Sequence, residues 1–321
     1  MDRFKIKSVN LPVISTEHGL GPVSGGTNIN PKIRITTTIM YTVDELNDRL
    51  IDLAFSEDIG DGDHTTLCCI PEDAMGKSKL LIKEEGILAG MRIAKEIFHR
   101  FDPTMQVEQF MEDGAHVKPG DVPMIVTGKV RSLLQTERLM LNVMQRMSGI
   151  ATMTAKYVSR LEGTRTHVLD TRKTTPGMRM LEKEAVKIGG GMNHRIGLFD
   201  MILLKDNHVD FAGGIANALD RCAAYQKEHG LHLKVEIECR SFDEINQVLA
   251  HGGADRIMLD NFSVEDTRKA VELIGGRTET ESSGGITIDT LRDYAECGVD
   301  YISVGALTHS VKGLDMSFKA C

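Results

Sequence analysis

Residues 233–261 read LKVEIECRSFDEINQVLAHGGADRIMLDN, and this one segment carries the architecture. Two short runs, VEIEC and RIMLD, bracket the helical pattern FDEINQVLAHGG. Ser241 stands where a helix N-cap belongs, and Glu244 follows three residues later. That spacing lets side chains satisfy N–H groups that a helix start leaves open. Strand, helix and strand in this order make a parallel βαβ unit. The unit repeats on both sides. THVLDTR, MILLKDN, ETESSGG and YISVGA are further short runs, separated by the helical stretches MRMLEKEAVKI, IANALDRCAAYQKEHG, VEDTRKAVELIGG and IDTLRDYAECG. Ser263 and Asp266 repeat the capping spacing. The runs show little polar alternation, which predicts strands covered on both faces.

Upstream the rhythm changes. KSKLLIKEEGILAG and QVEQFMEDGAHVKPGDVPMIVTGKV (106–130) read as strands of an antiparallel sheet, punctuated by Gly-Asp and Pro-Gly. ILAGMRIAKEIFHR (87–100) predicts a helix between them. From Arg131 to Leu161 the pattern is helical, with Leu134, Leu141, Met144 and Met147 as a core stripe. Ser148-Gly149 is expected to interrupt it, giving two helices. Thr42-x-x-Glu45 has capping-box spacing and opens a helix carrying Leu46, Leu50 and Leu53. Residues 1–40, polar and rich in Gly and Asn, read as a flexible extension with one short strand.

Composition narrows the function classes. The chain has 321 residues, Lys+Arg 38 against Asp+Glu 46, and a net charge of -8, so it lacks the basic footprint of a nucleic-acid binder. No apolar run approaches the ~18 residues of a membrane span. The start, MDRFKIKSVN, lacks the apolar stretch of a secretory signal. Six cysteines form no C-x-x-C pair, which reads as reduced thiols in the cytoplasm rather than a zinc site.

Polar groups collect where the runs end: Asp170, Arg172 and Lys173; Lys205 and Asp206; Glu236 and Glu238; Asp260 and Asn261; Ser282 and Ser283; Ser303. In α/β barrels that end carries the active site, while the strands themselves need apolar residues to fill the interior. ESSGGIT (281–287) and SVGALTHS (303–310) can each present backbone N–H groups at a following helix N-terminus, a phosphate cradle. The segment from Arg172 to Lys205 is basic. Lys183 and Lys187 read as solvated helix-face charges; Arg172, Lys173, Arg195 and Lys205, with His194, read as a pocket for a polyanion. Glu238 and Asp260 beside a polyphosphate suggest Mg²⁺; the plainer alternative is a pair of ordinary charges facing Lys205.

LDTRKTTPGMRMLEKEAVKIGGGMNHRIGLFDMILLKDNH (169–208), VEIECRS (235–241), IMLDNFS (257–263), ESSGGIT and GVDYISVGALTHS (298–310) closely resemble the quinolinate phosphoribosyltransferase family, type II phosphoribosyltransferases. SEDIGDGDHTT (56–66) and TERLMLNVMQRMSGIAT (136–152) extend the likeness over about residues 42–315. The resemblance implies an N-terminal open-faced α/β sandwich (41–148) and a C-terminal incomplete α/β barrel (149–306). A tail (307–321) is expected to return to the first domain. It also implies the reaction of quinolinate with 5-phosphoribosyl 1-pyrophosphate to give nicotinate mononucleotide, pyrophosphate and carbon dioxide, with Mg²⁺. Carried over by motif, Arg172, Lys173, His194, Arg195 and Lys205 look like the anion-binding wall, with Thr171 in the same turn. Arg138 looks like the arginine a dimer partner inserts, so shared sites in a homodimer or higher oligomer are implied. Glu238 and Asp260 look like the pair facing ribose and metal-pyrophosphate. Ser282, Ser283 and Gly284, with Ser303, Val304 and Gly305, match the phosphate loops. Met178 stands where the family commonly has Leu, a swap of similar size.

Glu238 is expected to stabilise positive charge developing on the ribose, and Lys173 to protonate the ring after decarboxylation. Rival readings are a nicotinate phosphoribosyltransferase or molybdenum-operon homologue of the same fold, a non-catalytic phosphate-binding barrel, and a lyase or aldolase using Lys205 as a Schiff base.

Overall fold

The structure, a computed structural model, describes residues 42–321 and two short strands, Ile14–Ser15 and Arg34–Ile35. Those two strands pair antiparallel; the flexible character expected of residues 1–40 lies outside the described residues. The chain forms two compact units, Met1–Asp48 and Arg49–Cys321. The helix Val43–Ile59 opens on the expected capping box, with Thr42 N donating to Glu45 Oε2 (2.7 Å) and Glu45 N to Thr42 Oγ1 (3.2 Å). Of the leucines it carries, Leu46 and Leu53 are exposed, while Leu50 is partly buried against the core that includes Ile51.

The second unit holds two main sheets. The first is antiparallel, in the order Met316–Ala320, Met75–Ile82, Met124–Lys129, Gln106–Gln109. The chain's last strand thus pairs with a strand more than two hundred residues earlier. Helices Met91–Phe101 and Val130–Arg160 bring buried residues such as Phe98, Met140 and Met144 to the core.

The long helix runs unbroken for 31 residues, against the expected interruption at Ser148-Gly149. Both residues serve packing. Ser148 Oγ accepts from Ala89 N (2.9 Å) and donates to Ala89 O (3.1 Å). A Cβ on Gly149 would lie 2.2 Å from Lys312 O, so glycine admits a close backbone crossing there. Leu134 is exposed, whereas Leu141, Met144 and Met147 are buried as predicted.

The other sheet has six parallel strands in the order His167–Leu169, Tyr301–Ser303, Glu279–Ser283, Arg256–Asp260, Val235–Cys239, Ile202–Leu204. Helices intervene, and Ser241 and Ser263 cap theirs as predicted. Among the described residues the two outer strands do not pair, which leaves the barrel open. Two strands depart from the expected apolar run. Val235, Ile237 and Cys239 alternate with buried Glu236 and Glu238, and Glu281 is fully buried in its strand. Strand alternation puts these carboxylates on the face opposite the helix-packed residues. The interior is therefore charged rather than apolar.

Candidate active site

All six strands run parallel, so their carboxyl ends share one rim. Thr171, Arg172 and Lys173 follow the strand His167–Leu169, and Lys205 follows Ile202–Leu204. Glu238 pairs in register with Met258, which places Asp260 one step further along the neighbouring strand on the same face. Lys205 Nζ donates to Glu238 Oε2 at 2.8 Å. Arg195 is 9% exposed, yet a cation. Burial pushes its guanidinium below the ordinary range, Arg172 beside it pushes the same way, and Glu236 opposes them. Two neighbouring guanidiniums, one of them buried, form a site that an anion would relieve.

Lys173 binds the rim at two points. Its N–H donates to Thr171 Oγ1 (3.0 Å) and its carbonyl accepts from Thr308 Oγ1 (2.8 Å). Its side chain passes so close to Gly305 that an added Cβ there would lie 3.1 Å from Lys173 Cδ.

Lys183 corrects the sequence reading. It is 1% exposed, because its Nζ donates to Asp170 Oδ1 (2.5 Å) and His194 O (3.0 Å). Helical spacing gives no sign of a partner reached from another element. Lys187 is exposed as expected.

Beneath the rim lies a column of charge. Arg256 contacts Glu279 (3.1 Å) and Glu281 (2.9 Å) and stacks 3.9 Å from the Tyr301 ring centroid. His194 Nε2 lies 3.0 Å from Glu236 and 3.6 Å from Glu281, although its N–H is aligned on neither. Burial pushes both carboxyls up to about 7; Glu236 adds to the rise at Glu281, while Arg256 holds both back. Among the described residues His194, Glu236 and Glu281 are the group of three ligand types within 4.8 Å of one another. The imidazole argues against a metal there. Its Nδ1 accepts from Arg195 N (2.7 Å), so the proton of the neutral ring sits on Nε2, facing the carboxylates. For a hard cation at the rim the donors are Glu238 and Asp260. Glu238 accepts from Lys205, and Asp260 Oδ2 accepts from Asn261 Nδ2 (2.8 Å). Such a pair of carboxylate oxygens is the donor chemistry a hard cation like Mg²⁺ takes, since it needs few protein ligands.

The two glycine loops lie side by side on adjacent strands. Among the described residues no acceptor takes the N–H groups of Gly284, Gly285 or Gly305. Gly284 (φ 98°) and Gly285 (φ 64°) are left-handed, and Gly284 abuts Asn261, itself at φ 57°. The expected arrangement differs in two respects. The helix after the first loop begins only at Leu291, so that loop offers its own N–H groups, whereas Ala306–His309 follows Gly305 directly. Ser282 is 1% exposed and pairs with core residues Leu259 and Ile302, so its side chain faces the helices; Ser283 shares the interior face with Asp260. Ser303 is buried beside Glu281, and Val304 N donates to Leu169 O (2.9 Å). Arg138 is exposed on the long helix.

Sequence reasoning missed Arg146 and buried Glu182 (2.8 Å apart), which hold the threonine turn. Arg146 also contacts Thr308 O, and Thr175 N donates to Glu182 (3.1 Å). It also missed Arg256 and Glu281, whose signal was charge inside a predicted strand.

Comparison with known proteins agrees with this geometry. The family description "Quinolinate phosphoribosyl transferase, N-terminal domain" matches residues 63–148, and "C-terminal domain" matches 150–319. A rice protein named nicotinate-nucleotide pyrophosphorylase [carboxylating], chloroplastic, is 46% identical, covering 84% of this chain and 76% of that protein. A Bacillus subtilis protein, probable nicotinate-nucleotide pyrophosphorylase [carboxylating], is 42% identical, over 84% and 91%. The crystal structure of NadC from Streptococcus pyogenes superposes with a TM-score of 0.81 at 39% identity, covering 88% of this chain and 98% of that one. With both family regions matched along most of its length, the chain belongs to the quinolinate phosphoribosyl transferase family.

Proposed function

We propose that this chain joins the ring nitrogen of quinolinate to the ribose of 5-phosphoribosyl 1-pyrophosphate, releasing pyrophosphate and carbon dioxide and leaving nicotinate mononucleotide. The observation that carries the reading is the shared rim, where Arg172, Arg195 and Lys205 stand with Glu238 and Asp260 at the ends of parallel strands. The free N–H groups of Gly284, Gly285 and Gly305 suit the 5-phosphate. Glu238 suits the cationic ribose, because its attraction grows only as pyrophosphate departs. Glu238 and Asp260 would hold Mg²⁺, which when bound offsets charge on the pyrophosphate. Arg172 and Arg195 hold the ring carboxylates and align the nitrogen for attack. Ribosylation makes that nitrogen cationic, and the electron pair left on C2 after loss of carbon dioxide sits beside it. C2 then takes a proton, for which Lys173 at the rim is the donor in this reading.

Lys205 is ion-paired with Glu238, which disfavours the Schiff-base alternative. The exposed position of Arg138 suits insertion into a partner's site, hence a homodimer. A cytoplasmic location rests on six free thiols; no helix among the described residues is long and apolar enough to cross a membrane. The test is direct. Protein, Mg²⁺, quinolinate and phosphoribosyl pyrophosphate should yield carbon dioxide and the mononucleotide, and nicotinate in place of quinolinate should not. Equal turnover of nicotinate would move the assignment to the rival enzyme.

A further inference from the structure

The helix Arg179–Ile188 brings Arg179 and Lys183, one turn apart on one face, to the two segments that bear the rim arginines. Lys183 binds Asp170, two residues before Arg172, and the carbonyl of His194, one residue before Arg195. Asn193 Nδ2 donates to Asp170 Oδ2 (2.6 Å) and His194 N to Asp170 Oδ1 (2.9 Å). Arg179 makes a second tie between the same segments. Its Nη2 donates to Arg172 O (3.4 Å), its Nη1 to Ile196 O (3.3 Å) and its Nε to Thr174 Oγ1 (2.9 Å). Both segments are thus fastened twice to one rigid helix.

We propose that Arg179, Lys183 and Asp170 are positioning residues that hold Arg172 and Arg195 at the spacing of a dicarboxylate. Two observations require such a brace. Arg172 and Arg195 carry like charge, which the ties from Arg179 to Arg172 O and Ile196 O and from Lys183 to His194 O act against. The Asp170–Lys183 pair is almost wholly buried, which pushes the carboxyl up and the ammonium down. Apolar residues often fill such a position at equal or better stability, so a buried pair here points to geometry as well as stability. The guanidinium of Arg179 suits its role because a planar fork reaches several carbonyls at once, which an ammonium cannot.

This inference rests on the quinolinate reading. The experiment measures initial rates with each substrate varied in turn, alongside melting temperature, for wild type, Arg179→Ala, Arg179→Lys and the double variant Asp170→Asn/Lys183→Met. Arg179 is partly exposed, so its truncation should leave a folded enzyme. In Arg179→Ala the KM for quinolinate should rise about tenfold while that for phosphoribosyl pyrophosphate stays within about twofold, and Arg179→Lys should not restore it. The double variant removes both buried charges together and should show the same split. A role in stability alone lowers the melting temperature without that split. Folded Arg179→Ala enzyme with a wild-type KM for quinolinate overturns the brace, whether or not the double variant folds. A wild type that ignores quinolinate instead overturns the functional reading.

Discussion

Alanine at Gly284 should cripple binding of phosphoribosyl pyrophosphate while leaving the fold intact. Gly284 has φ 98°, where a side chain costs about 1–2 kcal/mol. The new Cβ would lie 2.2 Å from Asn261 Oδ1 and 3.0 Å from Asn261 N. Ordinary contact needs roughly 3.4 Å, so the loop and Asn261 must part by about 1 Å, and such overpacking costs about 1–3 kcal/mol. Asn261 also holds Asp260, so the disturbance reaches the carboxylate pair. The loop is the yielding element, because it lies beyond the strand end. A total of about 2–5 kcal/mol then appears as lost binding, raising KM about thirty- to several-thousand-fold at 1.4 kcal/mol per decade. Pyrophosphate release would be followed with phosphoribosyl pyrophosphate varied at saturating quinolinate. A KM within about threefold of wild type, at an unchanged melting temperature, would refute the argument that this loop grips phosphate through closely packed backbone.

Four further outcomes follow from the same geometry. Glu238→Gln should lower kcat by about a hundredfold or more with little change in KM for quinolinate; unchanged turnover beside an inactive Asp260→Asn would transfer the role to Asp260. Arg138→Ala should harm quinolinate use far more than phosphoribosyl pyrophosphate binding, and equal loss of both would contradict its insertion at the quinolinate end of a partner's site. Gly149→Ala puts a Cβ against Lys312 O and should destabilise by about 1–3 kcal/mol; calorimetry showing the wild-type melting temperature would remove the close crossing as an explanation. Glu281 has a folded pKa of about 7, above its ordinary 4.5. The native state therefore keeps a proton that the unfolded chain loses, and the contribution to stability, fully present below pH ~4.5, falls as pH rises to ~7. Glu281→Gln cannot titrate, so the wild type's advantage in melting temperature should shrink across that window; a constant difference would show that burial does not raise this carboxyl.

The barrel was the most legible part of the chain. Each βαβ unit is local, and capping pairs such as Ser241 with Glu244 signal their helices within four residues. Candidate chemistry was legible for the same reason: strand ends in a parallel sheet face one rim, so polar groups there converge. Errors arose where a residue's partner is far away in sequence. Ser148-Gly149 reads as a helix breaker by local propensity, yet it packs against Ala89 and Lys312 inside a continuous helix. Ser282 and Ser283 look equivalent in ESSGG, and only the pleat decides which one faces the interior.

Residue order alone determined the strand–helix alternation of the parallel sheet and the polar strand ends, because period and strand ends are short-range properties, and its motifs carried the resemblance to the family. The tertiary structure decided the charged interior, with Arg256 between Glu279 and Glu281, and the burial of Lys183 against Asp170. Whether a lysine is solvated or locked in an ion pair depends on which element packs over it. That is a property of the assembled fold, and spacing along the chain does not encode it.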